Sequence, residues 1–157
     1  MLTRIALALV LTLGLAAPAF AAGSSSSSQT PYRSSSDDYS KAVRAVKAED
    51  YATAATLLRG VVKNDSRNAD AWNYLGFSER KLGHFDRSLD AYQTALRIRP
   101  DHLGANEYLG ELYLQTGKLD KAKQQLKKLH TLCPGGCEEY SELEEAIKTH
   151  EMSSKSG

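Results

Sequence analysis

From about residue 37 onward the apolar positions fall at helical spacing, in runs broken by short polar segments. In one such pair of runs, Ala71, Leu75, Phe77 and Ser78 belong to a first helix. "KLGHF" breaks it at Gly83, Asp86 lies in the next first turn, and Ser88, Tyr92 and Ala95 follow at helical spacing until Pro100 ends the second. The last apolar stripe, Tyr140, Leu143 and Ile147, lies in "CEEYSELEEAIKTH" (137–150) and is surrounded by five glutamates. The pattern predicts an all-α chain of paired helices.

The pairs repeat. Residues 69–102 and 103–136 coincide at an offset of 34 in Ala71/Ala105, Tyr74/Tyr108, Leu75/Leu109, Gly76/Gly110, Gly83/Gly117, Asp86/Asp120 and Pro100/Pro134. A fixed period of this length marks a stack of identical supersecondary units. Gly76 with Ser88, and Gly110 with Ala122, let the paired backbones approach closely. Leu75, Tyr92, Leu109 and Leu126 are expected to fill the space between them. Stepping back by 34 places a degenerate unit over 37–68, with Tyr51, Ala54, Leu58 and Val61 at matching places but Lys41-Ala42 where Leu-Gly stands elsewhere.

Trp72, Leu75, Gly76, Ser88, Tyr92, Ala95 and Pro100 match the signature of the tetratricopeptide repeat, and residues 69–102 resemble that family closely, with Glu79 in place of its usual tyrosine. The next unit keeps Leu109, Gly110, Tyr113, Ala122, Leu126 and Pro134 but has Asn106 for the tryptophan. The resemblance implies a right-handed superhelix of three antiparallel helix-pair repeats, and 137–150 fits the capping helix that hides its last apolar face. A short disordered tail, 151–157, is expected to follow.

Ahead of the repeats, Met1 to Arg4 begins positively, Ile5 to Leu15 is apolar, and Ala19 and Ala21 are small. This is the layout of a secretory signal peptide over 1–21. The Ser-rich segment 22–36 that follows has almost nothing to bury and reads as a flexible linker. These features point to an exported protein, periplasmic in a Gram-negative bacterium. Without Arg4, 19 basic residues face 19 acidic ones, so charge gives no general pull toward nucleic acid or an anionic membrane.

Candidate chemistry is sparse. No Gly-x-Ser-x-Gly elbow, phosphate-cradling loop or His-Glu-x-x-His helix occurs, so the chain is read as a non-enzyme without a cofactor. His84 and His102 read as solvated polar residues between helices. The two cysteines stand in "CPGGC", where Pro134 ends a helix and Gly135 and Gly136 permit a reversal. The main expectation is a Cys133–Cys137 disulfide tying the cap. Two alternatives stay open: a Cu(I) or Zn(II) site of His130, Cys133 and Cys137, and a thiol-exchange pair, although three intervening residues are not the usual redox spacing.

In the resembled family the first helices of successive units line a concave groove that receives a protein or peptide partner. By helical phase that groove would carry Tyr39, Val43 and Lys47, then Asn73, Phe77, Arg80 and Lys81, then Glu107, Glu111, Leu114 and Gln115. It would be apolar at one end, basic in the middle and acidic at the other, with Tyr39 and Phe77 as contacts for a mixed-charge segment of an envelope partner. Glu107 and Glu111 would repel the C-terminal carboxylate that some family members clamp.

Overall fold

The computed structural model describes residues 35–155, which form seven α-helices: α1 (Ser35–Lys47), α2 (Tyr51–Asn64), α3 (Ala69–Lys81), α4 (Phe85–Ile98), α5 (Leu103–Gln115), α6 (Leu119–Leu132) and α7 (Glu138–Lys155). No strand occurs among the described residues. Consecutive helices pack as antiparallel pairs, α1 with α2, α3 with α4 and α5 with α6, and α7 lies against α5 and α6. This is the all-α superhelical stack expected from the 34-residue period. The signal segment and most of the Ser-rich stretch lie outside the described residues.

Backbone geometry repeats at the period even where the side chains do not. The turn inside each pair is closed by the same two hydrogen bonds. Asp50, His84 and Lys118 donate to the carbonyls of Ala45, Glu79 and Tyr113, while Glu49, Gly83 and Gly117 donate to Val46, Arg80 and Leu114. Such a Schellman closure needs one residue in the left-handed region. Gly83 and Gly117 supply it at φ 77° and 70°, and in the first unit Glu49 is forced to φ 58°. The second helix of each pair ends alike, with Asp65, Arg99 and Cys133 donating to Val61, Ala95 and Leu129. The degenerate first unit is therefore a true repeat in conformation. Starts are capped locally: the carboxylate of Asp50 accepts from Thr53 N at 3.1 Å and the amide oxygen of Asn68 from Ala71 N at 2.9 Å.

Two hydrophobic clusters run along the stack. One joins Ala42, Ala54, Leu58 and Val61 to Ala71 and Leu75; the other joins Tyr92, Leu109, Leu112, Leu129, Leu143 and Ile147. Gly76 is required where it stands, because a Cβ there would lie 2.7 Å from two ring carbons of the fully buried Tyr92. At Gly110 the intruder would instead be Leu143 of α7, at 2.5 Å. Leu126, expected in that seat, is only half-buried. Leu143 follows Leu109 by 34 just as Leu109 follows Leu75, so α7 begins another turn of the stack, but the seat over Gly76 is filled by that unit's own Tyr92 and the one over Gly110 by Leu143 of α7.

Two boundaries differ from the sequence pattern. Helix α1 starts at Ser35, inside the segment read as linker, and α7 continues to Lys155, past His150 and through residues expected to be disordered. Beyond Ile147 an ion pair joins α7 to α6, with Lys123 Nζ reaching Glu151 Oε1 at 2.6 Å. At the other end of α7, the Cys133 and Cys137 sulfurs are 2.13 Å apart, as a disulfide. Gly136, at φ 88°, makes the reversal between them.

Candidate functional site

The concave face is built by α1, α3, α5 and α7, whose equivalent positions recur every 34 residues. Of the residues placed there by helical phase, Asn73, Arg80, Glu107 and Leu114 are all buried. Tyr39, Val43, Phe77 and Glu111 are half-buried, and Lys47, Lys81 and Gln115 are exposed. The face is thus less open than a bare row of first helices.

Arg80 does not present a basic middle to solvent. It forms an ion pair with Glu111, and its guanidinium lies 5.4 Å from the Phe77 ring centroid and 5.8 Å from that of Tyr108. Its charge is spent tying α3 to α5. Phe77 is held by Tyr51 at 5.9 Å and Tyr108 at 4.9 Å between ring centroids, with the exposed Lys81 Nζ 5.3 Å above it. Tyr39 packs edge-on against Tyr74 at 6.2 Å. Burial, and then the neighbouring Asp70 carboxylate, push its phenol up to about 12, so Tyr39 acts as a neutral hydroxyl.

At the far end the groove opens into a cleft of about 900 Å³ between α5 and α7. Glu111, Leu114 and Gln115 line it from one side and Glu142, Glu145, Ala146 and Thr149 from the other. The α7 residues were missed by sequence reasoning, which treated that helix only as a cap. The signal was present, since Glu145 and Thr149 follow Glu111 and Gln115 by 34.

A second cavity, of about 350 Å³, sits at the N-terminal ends of the same helices. Asp70, Asn73 and Tyr74 of α3 line it with His102, with Gly104, Glu107 and Tyr108 of α5, and with Glu138, Glu139 and Glu142 of α7. Glu107 is 2% exposed. Burial, a hydrogen bond with Glu142 and the charges of Glu142, Glu111 and Glu139 push its carboxyl up to about 9, so at neutral pH Glu107 carries a proton. Asp70 is engaged, by an ion pair with Arg99 and by His102 Nε2 at 3.2 Å. His102 Nδ1 accepts from Ala105 N and so caps α5, while its buried Nε2 has no well-aligned hydrogen bond although Asp70 Oδ1 lies 3.2 Å away. Burial and the nearby Arg99 hold its pKa below the usual imidazole value. His102 is therefore a built part of the fold rather than the solvated residue the sequence suggested.

His84 is solvent-exposed as expected, but it also has a buried partner. Its Nδ1 lies 2.8 Å from Glu79 Oε2, and Arg59 and Arg87 also bind that buried carboxylate, at 2.5 and 3.0 Å. Burial alone would raise the Glu79 pKa, but these bonds outweigh it and hold the group below its ordinary value. Glu79, standing where the repeat usually has tyrosine, joins α2, α3 and α4 by charge.

The metal alternative loses its ligands to the bridge. Both cysteine sulfurs are joined to each other, and the exposed His130 packs against Tyr140, ring centroids 5.7 Å apart. Among the described residues no group of three or more His, Cys, Asp or Glu side chains is arranged to hold a metal ion. No described helix is long and apolar enough to cross a membrane.

Comparison with known proteins agrees with this geometry. The family model described as tetratricopeptide repeat matches residues 39–76 and 78–136. The chain is a tetratricopeptide-repeat protein. Protein FlbA of Caulobacter vibrioides is 39% identical to it over 72 residues, which is 46% of this chain and 12% of FlbA. The chain thus spans a small fraction of that relative. Among solved structures, MamA AMB-1 is 25% identical with a TM-score of 0.61, over 66% of this chain and 62% of that one. The type III secretion translocator chaperone SycD of Yersinia enterocolitica has the same fold at 18% identity, with a TM-score of 0.68 over 78% of this repeat protein and 88% of SycD.

Proposed function

We propose that this repeat protein is a non-catalytic interaction module that receives a segment of a partner protein along its concave face, as an assembly factor or scaffold of a bacterial cell envelope. The observation that carries this reading is the cleft between α5 and α7. It has the volume for several side chains, an apolar floor at Leu114 and Ala146, and a polar rim at Gln115, Glu142, Glu145 and Thr149. That is the make-up of a peptide-binding groove. SycD has been solved with a peptide of the translocator YopD, and a stack of the same fold offers the same kind of surface. The envelope location rests on the signal-like residues 1–21.

The test is site-specific photocrosslinking from Gln115 and Thr149 in the native compartment, with the captured partner identified by mass spectrometry. A Glu145→Lys/Thr149→Lys variant, altered only at exposed positions, is expected to lose at least tenfold of the crosslinked partner while melting as the wild type does. Undiminished capture by that variant sinks the groove assignment. Inactivity of an alkaline phosphatase fused after residue 36 sinks the envelope location.

A further inference from the structure

The cavity at the N-terminal ends of α3, α5 and α7 has chemistry of its own. Among the described residues no lysine, arginine or histidine forms an ion pair with Glu107, Glu138, Glu139 or Glu142. Four carboxyl groups therefore converge on one concavity with no internal counter-charge. Asn73, which lines the same cavity, is 5% exposed, and its side-chain oxygen Oδ1 is buried with no hydrogen-bond partner. A buried amide oxygen left unpaired is costly unless something outside the fold donates to it. Two tyrosine rings, Tyr74 and Tyr108, complete the wall. Gly104 lies on the same wall, where an added Cβ would only touch Asn73 Nδ2, at 3.4 Å.

We propose that this cavity is a specificity pocket for a basic side chain, arginine or lysine, on the partner segment held in the groove. The proposal rests on the reading of the concave face as a partner-binding surface and names the chemistry it selects. Carboxylates and an amide oxygen are acceptors only toward a guanidinium or ammonium, and aromatic faces attract the same cations. An inorganic cation fits less well. About 350 Å³ is room for a long side chain where a water takes about 30 Å³, and the carboxylates are not gathered into a metal-ligating set.

A cation entering the pocket competes with the proton on Glu107. Glu107 in the free protein is protonated below about 9. Binding an arginine releases that proton, so affinity rises with pH between 7 and 9, by at most about tenfold per unit for one proton. The facing groups work in the same direction or are neutral. Asp70 stays paired with Arg99 and Glu111 with Arg80, while His102, its pKa lowered by burial and by Arg99, stays neutral. Glu138 and Glu139 face the cavity from α7, and Tyr108, its phenol raised by burial and by Glu107, stays uncharged.

The probe is acetylarginine methylamide, titrated into the 157-residue chain while the Asn73 side-chain amide is followed by NMR. A saturable shift is expected, with the neutral isostere acetylcitrulline methylamide at least tenfold weaker. A Glu107→Gln/Glu142→Gln variant should bind at least tenfold more weakly and lose the pH dependence while keeping its helical circular dichroism. If the double variant melts early, Glu142→Gln alone decides, since Glu142 is exposed. Equal binding of arginine and citrulline, or unchanged binding by the variants, overturns the pocket. So does a saturable response to calcium with none to arginine, which would mark an inorganic site. The two readings fail separately: partner capture untouched by the variants removes the pocket but leaves the groove, and arginine binding with no capturable partner does the reverse.

Discussion

Glu79 and Glu49 both stand where the repeat normally has another residue, and the structure gives them opposite consequences. Glu79 is buried yet bonded by Arg59, Arg87 and His84, so it stabilises through charge. Because its folded pKa lies below the unfolded value, that contribution is present above the ordinary glutamate pKa, near 4.5, and disappears as pH falls through the folded pKa. Glu79→Gln is therefore expected to cost about 1–3 kcal/mol at pH 7 and to converge with the wild type as pH falls through that lowered pKa, measured by urea unfolding across pH. A constant difference down to pH 3 would show that the carboxylate charge is not what matters. Glu49 carries strain instead: a residue with a Cβ held at φ 58° costs about 1–2 kcal/mol against the right-handed region. Its counterparts Gly83 and Gly117 avoid that cost. Glu49→Gly should raise stability, by up to about 1 kcal/mol after the entropy glycine loses on folding, and an earlier melt would contradict the strain. Neither role was readable from residue type, since both depend on what the period brings beside or beneath the position.

Helix α7 shows how an element acquires two duties. Its apolar stripe, Leu143 and Ile147, is fully engaged against α5 and α6. Leu143 occupies the hollow over Gly110 whose counterpart over Gly76 is filled by Tyr92. Its other face supplies Glu142, Glu145 and Thr149 to the groove. Tying such a helix at its root matters, and the Cys133–Cys137 bridge closes a loop short enough to contribute only about 2 kcal/mol in the chain-entropy account. Cys133→Ser/Cys137→Ser should lower stability by about that amount, whereas Leu143→Ala should cost about 2–5 kcal/mol. Hydrogen exchange should show both losses first in α7. If the cysteine variant were the more damaging of the two, the bridge rather than the leucine would hold the helix. The helical pattern announced α7, but its length and its groove face were hidden because a polar outer surface looks the same whether it meets water or a partner.

At the scale of the whole molecule, stacking turns a local code into a surface. The 34-residue period, the breaker glycines, the terminal prolines and the alternation of small and large apolar residues determined the helices, their pairing and the family from sequence alone. Those features act within a few turns of chain, where propensity and periodicity are sufficient causes. The sequence also placed Cys133 and Cys137 at a reversal where a bridge could form. Only the tertiary structure decided which groove residues remain available. Arg80 is consumed by Glu111, Phe77 is clasped by Tyr51 and Tyr108, and Asn73 and Glu107 face a cavity that exists only because α7 folds back over α5. Helical phase says which way a side chain points along its own helix. Whether its charge is paired, shared or left open depends on side chains dozens of residues away, and the distances between helices set that.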